Sequence, residues 1–490
     1  MSRWFDIIIQ KVTPSTDKPI IVIDSQKFLE IAELQEKLKQ ENYKLIFAEP
    51  NIQVRMKYEL EVKNRAKTIL AIKGKYSLVD DMKASSFVVE LKPREIFRNF
   101  DENAIKGLNY KEFCKLDNIQ VFKDLSFEET KKIIDEKIKN ITVEDELKEA
   151  KSLLQGLENT DFDFLDEKLW FKLAPAIGKA GELSYRLKKS DLIDKFLGAV
   201  NNLNQKFQLF VESKYTLLFT RTGIKYPYTI DKVQDYIAAN SKNSRVAFIV
   251  IDGMNFWQWA LLKLCIEKEG FAVEEKTTLS CLPSITAWAR QSIFAGKKPN
   301  LLIDNATEGD LFKKYWMEKH QKMYYQVSYE KINTDQKLSV PSSDVSVAGF
   351  VVNALDEMMH GNILGYEQLY SNTKLWIEKS GFCKSIKELR NAGFEIYIST
   401  DHGNVESELN LKLSAGQKSL MHSRSKRFIQ FDTEEQASSY IENHPEYQLG
   451  KKDKSVYFKD TNGFGNSGEK VITHGGSHIL ELIIPVGVVK

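Results

Sequence analysis

Apolar positions along the chain change their period twice. Near the start, Ile20-Ile21-Val22-Ile23 is a continuous apolar run that stops at Asp24-Ser25, the pattern of a strand buried on both faces. Phe28, Leu29, Ile31, Ala32, Leu34 and Leu38 then recur at helical spacing, and residues 44–48 return to a strand. Strand, helix and strand with short joints predict a βαβ start, extended by apolar runs at 68–72 and 86–89 into a small α/β domain over 1–95. Asp24 stands where a phosphoacceptor aspartate would stand at a strand tip. The favoured expectation is the plainer one, that Asp24 or Ser25 caps the next helix.

Residues 96–240 read differently. Lys, Glu and Leu dominate, Pro and Gly are sparse, and Ser126-Phe127-Glu128-Glu129 has the spacing of a capping box. A helical middle domain is expected, built as a bundle that supports its neighbours and carries no chemistry of its own. The polar joint at 240–244 ends it, and strands resume in a third domain over 241–490. The fold class expected for the whole chain is therefore α/β, with a flanked sheet at the C-terminus preceded by a small α/β domain and a helical region.

Four segments of that last domain share one design. Residues 246–251 are apolar and run into Asp252-Gly253-Met254. Residues 347–352 run into Asn353-Ala354-Leu355-Asp356, with His360 four positions beyond Asp356. Residues 394–400 run into Asp401-His402-Gly403. Val471-Ile472-Thr473 ends in His474-Gly475-Gly476, ahead of another apolar stretch. In an open α/β sheet the carboxyl ends of neighbouring strands form the ligand crevice, so separate tips can deliver Asp252, Asp401 and His402 to one place. Each motif has an ordinary explanation by itself: Asp-Gly is a common turn, and an i, i+4 Asp/His pair is commonly a solvated helix face. Four in order favour a two-metal site.

Histidine placement strengthens that inference. All seven histidines lie between His320 and the C-terminus, whereas purely structural histidines should scatter. A nucleophile is offered between the first two acidic motifs by Pro283-Ser284-Ile285-Thr286. A helix is expected to open near Thr286, where the dipole and free N–H groups favour phosphate. Thr286 is equally explained as an ordinary N-cap, and Ser284 is the rival nucleophile. Arg290, one turn beyond, either touches phosphate or pairs locally.

Composition narrows the partners. Seventy Lys+Arg against 68 Asp+Glu give a net charge of +2, which argues against a strongly basic duplex-DNA grip. No apolar run approaches the ~20 residues of a membrane span, and Asp6 interrupts any signal-peptide core. Cys114, Cys265, Cys281 and Cys383 show no paired spacing. Neither a zinc knuckle nor a disulfide framework is expected, and a reducing, cytoplasmic location is the simplest expectation.

The order of these motifs resembles the alkaline phosphatase superfamily, and more narrowly the PglZ domain, found in bacteriophage-exclusion systems and in some signalling proteins, so that phage defence or signalling is the implied setting. The specific signs are Asp252-Gly253-Met254 with Trp259, Pro283-Ser284-Ile285-Thr286 with Arg290, and His474-Gly475-Gly476 before Leu480-Glu481-Leu482. The resemblance implies one metal on Asp252, Asp401, His402 and the Thr286 oxygen, and a second on Asp356, His360 and His474. His478 follows where the family continues differently, so either histidine remains open as the last ligand, with His474 favoured by its Gly-Gly flank. Mixed nitrogen and oxygen donors suit Zn²⁺ or Mn²⁺ better than Mg²⁺ or Ca²⁺. The expected activity is hydrolysis of phosphate esters through a phosphothreonine at Thr286. Nucleotides or oligonucleotides are the expected substrates, other phage-defence proteins the possible partners, and no membrane is involved. A non-catalytic assembly subunit is the alternative, and a phosphomutase a weaker one. Arg424 and Arg427 precede the strand-like residues 428–431, and the plainer expectation is a basic solvated turn of an edge hairpin; the sharper one is that they border the cleft and steer phosphate chains.

Overall fold

The computed structural model describes residues 3–490 except 75, 107, 109, 118, 120, 161–163, 242–243, 300–305, 334–336, 362–364 and 422–424. Arg424 lies outside the described residues. The chain forms two compact units, Met1–Glu146 and Leu147–Lys490, and their boundary falls inside the 96–240 helical stretch.

In the first unit, β1 (Ile20–Ile23), β2 (Lys44–Ala48), β3 (Thr68–Ile72) and β4 (Phe87–Glu90) form a parallel sheet in the order β2-β3-β1-β4. Alternate residues of β1 enter opposite cores: Ile20 and Val22 pack with Trp4 and Phe28, and Ile21 packs with Tyr58 and Leu70. Burial on both faces explains the unbroken apolar run. The Asp24 carboxylate accepts the N–H groups of Phe28 at 2.9 Å and Leu29 at 2.7 Å. It is thus a cap, and burial raises its pKa despite those bonds.

The second unit begins with two long helices, α1 (Glu167–Leu187) and α2 (Ser190–Leu218). They share one hydrophobic core with the sheet that follows. A Cβ on Gly178 would lie 2.5 Å from the carbonyl oxygen of Phe256, so only glycine lets α1 approach this closely. In chain order come β5 (Arg245–Ile251), α3 (Phe256–Lys268), β6 (Val273–Leu279), α4 (Thr286–Ala295), β7 (Val327–Ile332), β8 (Val347–Val352), α5 (Ala354–His360), α6 (Phe382–Asn391) and β9 (Phe394–Ser399). The chain continues through β10 (Val405–Leu411), β11 (Phe428–Gln430), β12 (Leu449–Lys452), β13 (Ser455–Phe458), β14 (Asn462–Phe464), β15 (Glu469–Thr473), α7 (Ile479–Leu482) and β16 (Ile483–Val489).

The main sheet has the order β6-β16-β9-β5-β8-β7. β7, β8, β5 and β9 run parallel, and β16 is antiparallel to both its neighbours. The tips of β8, β5 and β9 are therefore adjacent, which is the crevice expected from sequence. β15 departs from that expectation. It pairs antiparallel with β10 in a separate three-stranded sheet, so His474 reaches the crevice from outside the main sheet. Its residues Glu469 and Lys470 are exposed while Ile472 and Thr473 are buried, the pattern of a strand with one wet end.

The cysteines also depart from expectation. Cys265 on α3 and Cys383 on α6 form a disulfide with Cα atoms 6.4 Å apart, across 118 residues of sequence. Sequence spacing carries no trace of it, because the sheet's topology is what sets these two helices side by side. Among the described residues, no helix is long and apolar enough to cross a membrane.

Candidate metal centre

Two groups of potential ligands form where the strand tips meet, Asp252/Asp401/His402 and Asp356/His360/His474. Within each group the donor atoms lie within 4.8 Å of one another. The groups adjoin: the His402 and His474 rings stack with centroids 3.9 Å apart, and the Gly253 Cα faces Asp356 so closely that a Cβ there would touch it at 3.8 Å.

Backbone turns aim each carboxylate. Gly253 adopts φ +71° directly after β5, a conformation L side chains rarely take. Its N–H donates to Asp401 Oδ1 at 3.1 Å, and the His402 N–H donates to the same oxygen at 3.0 Å. Asp401 Oδ2 is left without a hydrogen bond, as is Asp252 Oδ1. These two oxygens lie 3.4 and 3.6 Å from His402 Nε2. Buried carboxylate oxygens without donors are costly unless a cation completes them, so the first group fits a metal ion. Behind them, the Asn404 amide donates to the Gly253 carbonyl at 2.7 Å and to Gln258 Oε1 at 2.8 Å, which locks the turn.

The histidines are oriented by their other ring nitrogens. His402 Nδ1 donates to the Gly403 carbonyl and His474 Nδ1 to the Ser284 carbonyl, both at 2.8 Å. Nε2 is then the lone-pair nitrogen in each ring, as a ligand requires. Burial, reinforced by the neighbouring His402, holds the His474 pKa well below its ordinary value. His360 Nε2 lies 3.3 Å from Asp356 Oδ1, and the i, i+4 pair on α5 faces inward.

Charge crowding shows in the acids. Burial first, then repulsion from Asp401 and Asp356, raises Asp252 well above the carboxylate range. Burial lifts Asp401 to about 6, partly offset by Arg290. Asp356 is held down to about 2, because its His360 hydrogen bond and the nearby imidazoles outweigh burial. Three carboxylates are thus packed where only a cationic partner lets all ionise.

Thr286 opens α4, and its Oγ1 lies 2.9 Å from His402 Nε2. It caps nothing: the N-cap is Ile285, which makes no side-chain cap bond. Arg290 turns away from the surface. Its Nη1 bonds Asp252 Oδ2 and Asn353 Oδ1, each at 2.9 Å, and its Nε lies 2.8 Å from Glu308. Burial works against its charge, but Asp252, Asp401 and Glu308 outweigh it. Asn353 closes the β8 motif, whereas Glu308 is a partner that no motif announced.

Three residues stand elsewhere than the alternatives placed them. Ser284, the rival nucleophile, is buried and committed: its one hydroxyl proton is shared between Glu481 Oε2 at 2.9 Å and the Gly476 carbonyl at 3.0 Å, and its Oγ accepts the Gly475 N–H at 3.0 Å. His478 joins neither group. It is 1% exposed, its Nδ1 accepts the Leu480 N–H, and burial and Arg427 depress its pKa. Arg427 does not border the cleft. It is fully buried, with Nε and Nη2 on Glu481 Oε1 at 3.1 and 2.9 Å and further bonds to Ser407 and to the Asn462, Phe458 and Asp460 carbonyls. Glu481 is thus a hub joining the Thr286 loop to the His474 loop. Gly475 at φ +105° and Gly476 are needed there, since a Cβ on either would collide with Ser425 or the Phe458 carbonyl. From the helical region, Gln208 bonds the Ser477 carbonyl and Asn204 accepts the Ile479 N–H, each at 2.9 Å. Support of neighbouring segments was expected of that stretch; Gln208 and Asn204 are the residues through which it braces the site.

A family model described as the BREX system PglZ alkaline phosphatase-like domain matches residues 230–489. A search of curated proteins found no match. Similar solved structures include phosphonoacetate hydrolase from Sinorhizobium meliloti 1021 in complex with phosphonoformate, at 13% identity over 50% of this chain and 90% of that one, TM-score 0.33. Human ectonucleotide pyrophosphatase/phosphodiesterase 5 matches at 10% identity over 50% of this chain and 87% of that one, TM-score 0.36. On the family match, which spans more than half of its length, the chain belongs to the PglZ family of alkaline phosphatase-like domains.

Proposed function

We propose that the chain is a metal-dependent phosphoric ester hydrolase that uses Thr286 as its nucleophile. The observation that carries this is the placement of Thr286 Oγ1, 2.9 Å from His402 Nε2, on the first residue of a helix and against the Asp252/Asp401/His402 group. Asp252, Asp401, His402 and Thr286 would hold one divalent ion, and Asp356, His360 and His474 the other, with Zn²⁺ or Mn²⁺ suited to these donors. Two such ions supply Lewis acidity that neutralises phosphate charge and lowers the threonine hydroxyl pKa. Their +4 against three carboxylates leaves +1, which favours an anionic substrate.

The protein's own groups do the rest. Thr286 is the first residue of α4, and free N–H groups at a helix start favour phosphate oxygens. Arg290 holds Asp252 by Oδ2 and leaves Oδ1 turned into the group, so it acts as a positioning residue. Thr286 Oγ would give its proton to solvent and bond phosphorus as the P–O(ester) bond breaks, the departing oxygen taking a proton from water; a second water then cleaves the P–Oγ bond, carrying off the phosphoryl group and leaving its proton on Thr286 Oγ. Nucleotides or oligonucleotides are the proposed substrates, and phage defence in the cytoplasm the proposed setting. A screen of p-nitrophenyl mono- and diesters and oligonucleotides against Zn²⁺ and Mn²⁺ tests the reading. Turnover abolished by chelation supports it. No turnover with any pair would favour a non-catalytic assembly subunit.

A further inference from the structure

A cavity of about 320 Å³ is walled by Tyr215, Phe219, Leu282 and Trp288, with Lys298, Lys452 and Asp453 also lining it. Its place relative to Thr286 follows from helix geometry. Arg290 lies one turn from Thr286 and shares its face, whereas Trp288 is two residues on, about 200° around α4. The Trp288 ring accordingly packs edge-on to Phe428 on β11, with centroids 5.8 Å apart, while Arg290 reaches Asp252. The cavity and the metal groups thus flank the start of one helix, about a helix diameter (~10 Å) apart.

Its lining has a definite chemistry. Three aromatic side chains and one leucine form apolar walls. Tyr215 and Phe219 sit one turn apart on and just beyond α2, with ring centroids 5.2 Å from one another. The Tyr215 hydroxyl is spent on the Ser280 carbonyl at 2.8 Å, so its ring is what the cavity meets. Two lysines against one aspartate leave the rest of the lining at 2 − 1 = +1. The volume is at the low end of small-ligand sites. Flat apolar walls with cations beside them suit a planar ring attached to an anion. A nucleobase joined to phosphate is such a group, since any base can stack on an aromatic face and lysines attract its phosphate. An aliphatic chain would bury apolar area here but would gain neither ring stacking nor anything from the two lysines.

We infer that this cavity binds the base of the nucleotide flanking the phosphate at Thr286, so that the chain handles dinucleotides or longer single strands. Base binding stands on the cavity alone; its flanking position rests on the proposed role of Thr286. A mononucleotide fills the cavity or the metal centre, and a dinucleotide spans the helix start and fills both.

Isothermal titration of the full chain decides it, using 5′-AMP, ribose 5-phosphate and the dinucleotide pApA. In EDTA, AMP should bind at least about fivefold more tightly than ribose 5-phosphate, the low end of one stacked base. Trp288→Leu should remove most of that difference, and the Lys298→Gln/Lys452→Gln double variant should weaken AMP several-fold. With Zn²⁺ present, and with Thr286→Ala as the titrated chain so that the ligand is not consumed, pApA should bind at least tenfold more tightly than AMP. Equal binding of AMP and ribose 5-phosphate, or AMP affinity unchanged in both variants, would overturn base recognition. Equal binding of pApA and AMP with Zn²⁺ would overturn the flanking position. Absence of phosphoester turnover would refute the role of Thr286 and leave the calorimetric result on base binding intact.

Discussion

Glu481→Gln isolates what the buried hub does. In the wild type the carboxylate accepts the Ser284 hydroxyl and Gly476 N–H on one oxygen, and the His478 N–H with Arg427 Nε and Nη2 on the other. Both Arg427 and Glu481 are fully buried. The amide keeps the shape but turns an NH₂ toward groups that are mostly donors, and it leaves the guanidinium without its counter-charge. Breaking a buried pair from one side costs about 3–5 kcal/mol. In a unit of this size about 2 °C accompanies each kcal/mol, so the melting transition should fall by roughly 6–10 °C. The double change Arg427→Met/Glu481→Leu should recover much of that loss, because no uncompensated charge remains. A second readout is specific to position. Glu481 holds Ser284, whose carbonyl orients His474, so the ion on Asp356/His360/His474 should bind ~10–100-fold more weakly while the other is little changed. Differential scanning calorimetry and metal titration give both numbers. A single variant as stable as wild type, with both ions held equally, would refute the hub.

Asp356→Ala should reduce bound Zn²⁺ or Mn²⁺ from two ions to one per chain, since its group shares no ligand with Asp252 and Asp401; elemental analysis after reconstitution reads this directly, and loss of both or neither would contradict two separate groups. Asp401, raised from 3.8 to about 6 by burial, binds its proton more readily folded than unfolded. The metal-free protein should therefore lose stability as pH rises from 4 to 6, and a divalent ion at pH 7 should restore it. Asp356, held down to about 2, acts with the opposite sign in the window below 3.8, so urea unfolding in EDTA at pH 4.5 and pH 7 separates the two. Thr286→Ala should keep fold and metals while turnover falls by several orders of magnitude, and Thr286→Ser should retain part of it; Ser284→Ala should act mainly on stability.

The parallel core strands and the acidic turns were legible because each is local: a buried strand is an apolar run, and the residue ending it is the next letter. Order along the chain then placed Asp252, Asp356 and Asp401 at adjacent tips, since parallel strands put their carboxyl ends on one side. What stayed hidden was set by tertiary contact. Arg427 reads as part of a basic turn in sequence, yet its charge is matched by Glu481, 54 positions away. Ser284 and Thr286 offer the same hydroxyl chemistry two residues apart, and only the helix start decides which faces His402. His474 and His478 both follow β15, but Gly475 reverses the chain between them, so one ring enters the crevice and the other caps α7. The Cys265–Cys383 link and the bracing by Asn204 and Gln208 join segments more than 100 residues apart, where no period or motif operates.

The central claim is that Thr286 carries the phosphoryl group during turnover. Acid-quenching the Zn²⁺- or Mn²⁺-loaded protein during hydrolysis of a p-nitrophenyl ester, followed by peptide mass spectrometry, tests it most directly. The expected result is a phosphorylated Thr286 that appears with wild type and with Arg290→Lys and is absent in Thr286→Ala, with Ser284 unmodified throughout. Verified turnover with Thr286 never modified, or with the group on Ser284, would contradict it.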